Sequence, residues 1–175
     1  MENFFDTNIK AVIFDLDGVL FNTTLDIAHS VNLTFQHFGY KELPLERITS
    51  FIGNGIRTLI KRAINESVNR DPEYGITSFS DNWNESTPEE DTIYVKELKS
   101  DATFSFQDIV SYYKKCYTEN PVIHSKPYPG IIEILKILHD KKIPIAVATN
   151  KPHQITVEIF KIFDLLKYFD AILGP

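Results

Sequence analysis

The 175-residue chain has a single cysteine, no long apolar run and no excess of basic residues. Cys116 cannot form a disulfide within the chain, which favours a reducing cytosol. No stretch approaches the ~18 apolar residues of a transmembrane helix, and the acidic start at residues 1–6 argues against a signal peptide. The net charge of −6 argues against the basic surface of a protein that binds nucleic acid or an anionic membrane. We therefore expect a cytoplasmic protein with neither kind of partner.

The acidity is concentrated in residues 71–101. This window holds nine acidic residues and two lysines, so it carries −7 and the rest of the chain carries +1. The near-neutral remainder is compatible with an anionic small molecule. The hydrophobic content of 43% is enough for a packed core, which excludes a wholly disordered chain.

Three short apolar runs predict the strands of one sheet. They lie at 10–15, 143–148 and 169–173, and helical periodicity is found between the later runs at 131–141 and 154–163. Strands that alternate with helices predict right-handed crossovers and a parallel sheet, the arrangement of an α/β fold.

A long, mainly helical segment separates the first strand from the second. Residues 21–125 are far too long for one crossover helix, so we expect an inserted helical cap with an acidic, loop-rich insertion at 71–101. The α/β core is then made of residues 1–20 and 126–175, and the predicted fold is a Rossmann-like parallel sheet with an inserted helical domain. The predicted helices of this segment lie near 25–38, 45–51, 56–68, 92–99 and 106–117, with loop at 71–91.

Two acidic residues follow the first predicted strand. Asp15 and Asp17 are two residues apart, so an extended backbone points them to one side, and Gly18 permits a sharp turn that exposes them. Paired carboxylates repel each other, which favours a bound cation such as Mg²⁺ or a shared proton. A carboxylate can also attack phosphorus while a neighbouring acid protonates the leaving oxygen. An ordinary turn or a calcium loop is the structural alternative.

Thr149, Asn150 and Lys151 follow the second predicted strand. The Thr149 hydroxyl and the next backbone N–H groups could hold a phosphate oxygen, together with the positive N-terminus of the following helix. A helix cap is the plainer alternative. Ligands of open α/β sheets bind at the carboxyl ends of the strands, so the joint occurrence of both groups at such ends predicts a phosphoryl-transfer site.

The residues around these two strand ends resemble the haloacid dehalogenase-like hydrolases. Residues 14–20 read FDLDGVL and are similar to the first motif of that family, and residues 146–152 read AVATNKP and are similar to the second. FIGNGIR at 51–57 and YPGII at 128–132 are similar to the phosphoglycolate phosphatase-like branch. The resemblance covers most of the chain outside 71–101.

The resemblance implies a role for each matching residue. Asp15 would be the nucleophile, Asp17 the general acid and base, and Thr149 with Asn150 would hold the phosphoryl group. Mg²⁺ would be bound by Asp15 and by the backbone carbonyl of Asp17. Related dehalogenases lack the second acid, so Asp17 favours phosphoryl transfer over carbon–halogen cleavage.

The chain departs from the family pattern in two places. Asn22 stands where the family usually has an aspartate, from which we expect a modest effect at the cap hinge. The family's third and fourth motifs, a lysine and one or two acids that complete the metal site, would follow the third strand. We therefore expect a core truncated at its C-terminus, in a fragment of a longer protein or a chain that needs a partner, with an apolar edge on its first strand. Lys151 is close enough to Thr149 in the sequence to approach the phosphate, but a solvated lysine at a helix start is the expected role. Asp170 is expected at the opposite end of the sheet and Asp164 at a helix end or in a loop, so neither is expected to bind metal.

Two further residues are weaker candidates for substrate binding. Asn54 and Arg57 lie at a predicted loop and helix start in the cap, where they could face an anionic substrate. An exposed turn and a solvated arginine explain them equally well. Thr23 or Thr24 is positioned to cap the first helix.

These residues lead to three hypotheses about function. The first is a Mg²⁺-dependent phosphatase that acts on a small, phosphoglycolate-like phosphomonoester through an aspartyl-phosphate on Asp15. The second is a sugar phosphomutase that uses the same aspartates. The third is a non-catalytic fragment or interaction module without the lysine and the metal-completing acids. The sequence leaves the substrate and the oligomeric state open.

Overall fold

The computed structural model describes residues 9–69 and 104–175. The loop and helix predicted at 71–91 and 92–99, and the acidic segment 71–101, lie outside the described residues. The described elements are, in chain order, β1 (Val12–Phe14), β2 (Phe21–Asn22), α1 (Thr24–Phe38), α2 (Leu45–Thr49), α3 (Gly55–Asn69), α4 (Phe106–Glu119), β3 (Lys126–Pro127), α5 (Ile131–Asp140), β4 (Ile145–Ala148), α6 (His153–Ile162), a 3-10 turn (Leu166–Tyr168) and β5 (Ala171–Leu173).

The chain divides into two compact units. The first combines Met1–Thr23 with Pro121–Pro175, and the second is Thr24–Asn120. The first unit contains the strands, and the second contains α1 to α4.

The first unit is built on a parallel sheet in the order β1–β4–β5. Phe14 pairs with Val147 on one side of β4, and Ala148 pairs with Leu173 on the other. The central strand is apolar throughout, and its Ile145 and Val147 side chains are buried. Both pairings are parallel, so the predicted α/β fold with a parallel sheet is confirmed.

Two amphipathic helices connect the strands of this sheet. Leu135 and Leu138 are the buried residues of α5, and Ile159 and Phe160 are among those of α6. They recur at the three- and four-residue spacing that gives a helix one apolar face. The helices predicted at 131–141 and 154–163 are therefore confirmed within a residue or two.

A short antiparallel pair, β2 with β3, was not predicted. Phe21 of β2 pairs with Pro127 of β3. The Phe21 ring is completely buried and lies 6.1 Å from the Phe160 ring and 5.1 Å from the Phe163 ring, centroid to centroid. Strands of two residues have no periodicity to detect, and their partner lies about a hundred residues away in the sequence.

The second unit consists of four helices. In α1 the side chains of Val31 and Phe35 are buried, and α1 packs against α2 and α4. Ile109 and Tyr113 are buried on α4, which begins at a capping box formed by Ser105 with the third residue of the helix. The helices predicted near 25–38, 45–51, 56–68 and 106–117 are confirmed.

The strand β1 has an apolar residue on its open side. Within the described part of the chain, β1 pairs only with β4, and the Ile13 side chain is 68% exposed. The apolar edge expected for the first strand is therefore present in the described residues. Among these residues, no helix is long and apolar enough to cross a lipid bilayer.

Candidate active site

The first candidate residue comes directly after β1. Asp15 is exposed, and its Oδ1 accepts a hydrogen bond from the backbone N–H of Leu16 at 2.6 Å. Leu16 is completely buried, so it anchors the chain in the core between the two aspartates. The strand end therefore places a solvent-accessible carboxylate on a fixed backbone.

A tight turn follows and presents Asp17. The Leu16 carbonyl accepts hydrogen bonds from the N–H groups of both Leu20 and Phe21, each at 3.0 Å. Gly18 has a φ of +79°, a conformation that L side chains rarely adopt, and its N–H donates to the Phe21 carbonyl at 2.9 Å. The predicted turn at Gly18 is confirmed.

The second group of candidates begins where β4 ends. Because Phe14 is paired with Val147 in a parallel register, Asp15 and Thr149 emerge at the same edge of adjacent strands. The Thr149 N–H donates to the Leu173 carbonyl at 3.0 Å, which fixes its backbone against β5. Its hydroxyl Oγ1 accepts a hydrogen bond from the backbone N–H of Lys151 at 3.2 Å. Thr149 is half-buried and Asn150 is exposed.

Lys151 joins the two strand ends. Its side chain is only 2% exposed, and its Nζ lies 2.9 Å from Oδ1 of Asp17, whose side chain is 18% exposed. The expectation of a solvated lysine is therefore wrong. A buried ammonium is stable only with such a partner, because its desolvation costs several kcal/mol (order of magnitude).

Asp17 has a second donor on the same oxygen. The Thr23 hydroxyl donates to Oδ1 of Asp17 at 2.5 Å. Thr23 was considered only as a helix cap, and α1 begins one residue later, at Thr24. The contact between Lys151 and Asp17 was not predicted, because a lysine 134 residues away in the sequence carries no local sign of the aspartate it contacts.

Asn54 and Arg57 lie in the second unit, at the start of α3. The Asn54 side-chain oxygen, in the amide orientation that satisfies both groups, accepts from Nη1 and Nη2 of Arg62, each at 3.1 Å. Arg57 donates from Nη1 to the Gln107 side chain at 3.0 Å and lies over the Phe106 ring at 5.0 Å. Arg57 is therefore held against α4 rather than fully solvated.

Asp15 and Asp17 are the candidate ligands for a cation at this edge of the sheet. No group of three or more His, Cys, Asp or Glu side chains within 9–69 and 104–175 could hold a metal ion. Mg²⁺ keeps several waters and takes one or two carboxylates with phosphate oxygens, so the oxygen donors of Asp15 and Asp17 fit it without a third acid. Asp170 lies at the opposite end of the sheet, where its Oδ2 accepts from the Ile145 N–H at 2.8 Å, as expected.

Sequence comparison finds several relatives. A phosphoglycolate phosphatase of Thiobacillus denitrificans is 31% identical over 170 residues, which cover 97% of this chain and 62% of that protein. A phosphoglycolate phosphatase of Aquifex aeolicus is 27% identical over 166 residues, which cover 95% of this chain and 61% of that protein. The chain therefore spans about three fifths of the length of these relatives.

Solved structures and the family pattern agree with these relatives. The crystal structure of a predicted phosphoglycolate phosphatase from Haemophilus somnus matches with a TM-score of 0.75 at 27% identity, over 97% of this chain and 64% of that one. The sequence model of the haloacid dehalogenase-like hydrolase family matches residues 12–175. The protein thus belongs to the haloacid dehalogenase-like hydrolases, and it is similar to members of that family named phosphoglycolate phosphatase.

Proposed function

We propose that the protein is a Mg²⁺-dependent phosphatase that hydrolyses a small phosphomonoester. The observation that carries the proposal is the meeting of Asp15, Asp17 and Thr149 at one edge of two adjacent parallel strands. The relatives named phosphoglycolate phosphatase support a small, anionic, phosphoglycolate-like substrate. The single cysteine of the chain is in keeping with a cytoplasmic location.

The reaction proceeds in two displacements at phosphorus. The Asp15 carboxylate attacks the phosphorus atom, the ester P–O bond breaks, and Asp17 donates a proton to the leaving oxygen. A water molecule then gives its proton to Asp17 and attacks the phosphorus of the aspartyl-phosphate. This step releases phosphate and restores the Asp15 carboxylate and the Asp17 acid.

Thr149 and Asn150 hold the transferring phosphoryl group. The Thr149 hydroxyl and the backbone N–H groups after β4 are donors for phosphate oxygens. A hydroxyl fixed by the Lys151 N–H is oriented before substrate arrives, which lowers the entropy lost on binding.

Mg²⁺ would be held by the Asp15 carboxylate and by Asp17 through its backbone carbonyl. When bound, the ion offsets negative charge on the phosphate and so lowers the repulsion that opposes attack by a carboxylate. The side-chain Oδ1 of Asp17 already accepts from Thr23 and Lys151, and the backbone carbonyl of Asp17 is the metal ligand that the family resemblance implies.

Asn54 and Arg57 are proposed as further substrate-binding residues, because residues 51–57 are similar to the phosphoglycolate phosphatase-like branch. Arg57, Lys61 and Arg62 place three cations in the first part of α3, a distribution that suits an anionic substrate. Arg57 is pre-oriented because Gln107 and Phe106 hold its guanidinium.

The proposal is tested by the hydrolysis of 2-phosphoglycolate and of generic phosphate esters, with Mg²⁺ and with EDTA. We expect hydrolysis that requires Mg²⁺ and falls by at least about 10³-fold in Asp15→Asn, because the amide is a far weaker nucleophile. Asp164→Asn is the matched control, since Asp164 is an exposed carboxylate paired with Lys167 in the same unit. Activity that survives Asp15→Asn contradicts the assignment of the nucleophile.

The same assay separates two alternatives. A sugar phosphomutase would convert a hexose 1-phosphate into its isomer and release little inorganic phosphate. A non-catalytic module would show neither reaction in Mg²⁺ with any of these esters.

A further inference from the structure

We propose that Lys151 is a positioning residue that sets which oxygen of Asp17 faces the reacting ester. The proposal rests on the proposed function, since it concerns the acid–base role of Asp17. Lys151 touches neither substrate nor phosphorus in this account and acts through Asp17 and Thr149.

Lys151 contacts both strand-end groups at once. Its backbone N–H donates to Oγ1 of Thr149 at 3.2 Å, and its Nζ donates to Oδ1 of Asp17 at 2.9 Å. One residue therefore fixes the distance between the proposed phosphate-binding hydroxyl and the proposed acid.

The backbone of Lys151 is itself tightly held. His153, the first residue of α6 and two residues after Lys151, donates its N–H to the Pro175 carbonyl at 2.9 Å. Gly174 approaches so closely that a Cβ built there would lie 2.6 Å from the Lys151 carbonyl oxygen. The Lys151 side chain thus reaches Asp17 from a fixed backbone.

The burial of Lys151 distinguishes it from surface lysines in ion pairs. Its side chain is 2% exposed, whereas that of Lys161, which pairs with Glu158 at 3.0 Å, is 54% exposed. An exposed ion pair contributes little to the free energy of unfolding. A buried ammonium restricts the orientation of its partner strongly, because water does not replace the contact for either group.

The two donors on Asp17 select one of its oxygens for catalysis. Oδ1 accepts from both Lys151 and the Thr23 hydroxyl, and no hydrogen bond of the described residues involves Oδ2. Because both donors engage the same oxygen, they fix the rotation of the carboxyl group about its Cβ–Cγ bond. Lys151 and Thr23 therefore orient Oδ2 as the oxygen that serves the leaving group.

The test compares Lys151→Met with the unaltered full chain on two esters in Mg²⁺. The alcohol of 2-phosphoglycolate needs a proton to leave, whereas p-nitrophenolate leaves as a stable anion. We expect kcat/KM of Lys151→Met to fall by about 10- to 100-fold on 2-phosphoglycolate, part of the ~10²–10⁴ of general acid catalysis. On p-nitrophenyl phosphate we expect a fall of less than about threefold, because that step does not use the acid.

Three further variants define the comparison. Asp17→Asn should show the same dependence on the leaving group, and Lys151→Met should cause no further loss in the Asp17→Asn background. Lys161→Met removes an exposed, ion-paired lysine of α6 and should match the unaltered chain on both esters.

The outcomes separate this inference from the proposed function. The first outcome is that the loss of kcat/KM in Asp17→Asn depends on the leaving group, while Lys151→Met lowers kcat/KM on both esters equally. Lys151 is then merely structural or binds phosphate, and the inference is overturned while the proposed function stands. If the unaltered chain hydrolyses neither ester, the proposed function fails and the catalytic role of Lys151 fails with it.

A stability measurement tests the contact without any activity. Urea midpoints of the unaltered chain, Lys151→Met, Asp17→Asn and the double variant should be non-additive, with the double variant no less stable than the weaker single variant. Strictly additive midpoints would show that Lys151 and Asp17 do not interact in solution and would overturn the inference.

Discussion

At the scale of single residues, the site depends on how closely the residues after the carboxyl ends of β1 and β4 approach each other. Asp15, Asp17 and Thr149 are recognisable in the sequence because each stands next to an apolar strand. Lys151 was misjudged for the opposite reason: lysine at a helix start is usually solvated, and only the fold brings it to Asp17. Its burial is a property of the tertiary structure that no local pattern contains.

Gly174 offers a test of this close packing. A methyl group at Gly174 would lie 2.6 Å from the Lys151 carbonyl oxygen, so the backbone around Lys151 must shift. We expect Gly174→Ala to lower the free energy of unfolding by about 1–3 kcal/mol, as overpacking does. Displacement of Lys151 and Thr149 should also lower kcat/KM on 2-phosphoglycolate by up to about 10²-fold.

Gly130→Ala is the matched control for this variant. Gly130 lies in the same unit with open space around it, and a Cβ there meets only the backbone strain of a φ of +85°. It should cost about 1–2 kcal/mol of stability but leave kcat/KM unchanged. Equal catalytic losses in both variants would show that the contact with Lys151 does not matter.

At the scale of elements, the longer helices and the core strands were predictable, and the shortest strands were not. The apolar spacing in α1, α5 and α6 repeats over ten residues or more, which is enough to define a buried face. β2 and β3 have two residues each and are joined only by their tertiary pairing. The turn that presents Asp17 ends at β2, so a strand pair that the sequence did not predict supports the motif that the sequence did.

The start of α4 has a pH-dependent cap. The pKa of Asp108 lies below its ordinary value, because the Ser105 hydroxyl and then the Ser105 backbone N–H donate hydrogen bonds to its carboxylate. A lowered folded pKa means that the stabilisation is complete above the unfolded value of ~3.9 and is lost as pH falls through the lower folded value.

Asp108→Asn should therefore remove this acid-dependent part of the stability. Urea unfolding of the two proteins should show a constant difference above roughly pH 5 and a smaller difference near roughly pH 3. Ser105→Ala removes the hydroxyl that donates to the Asp108 carboxylate, so its free energy of unfolding should also depend less on pH between roughly pH 3 and pH 5. A difference that does not change with pH would contradict an ionised cap.

At the scale of the whole molecule, three features bear on the proposed site: the length of the chain, the edge of its sheet and the placement of its charge. The chain spans about three fifths of the length of its phosphoglycolate phosphatase relatives. In the described residues, β1 is at the edge of the sheet with Ile13 exposed. The net charge of −6 has its source in 71–101, so the rest of the chain does not repel an anionic substrate strongly.

The most direct test of the account is the detection of a phosphoryl group on Asp15. The chain is mixed with 2-phosphoglycolate and Mg²⁺, quenched in acid within one turnover, digested and analysed by mass spectrometry. The account predicts one phosphoryl group on the peptide that contains Asp15, and none in Asp15→Asn. Release of phosphate at full rate without a phosphorylated Asp15 peptide would contradict it.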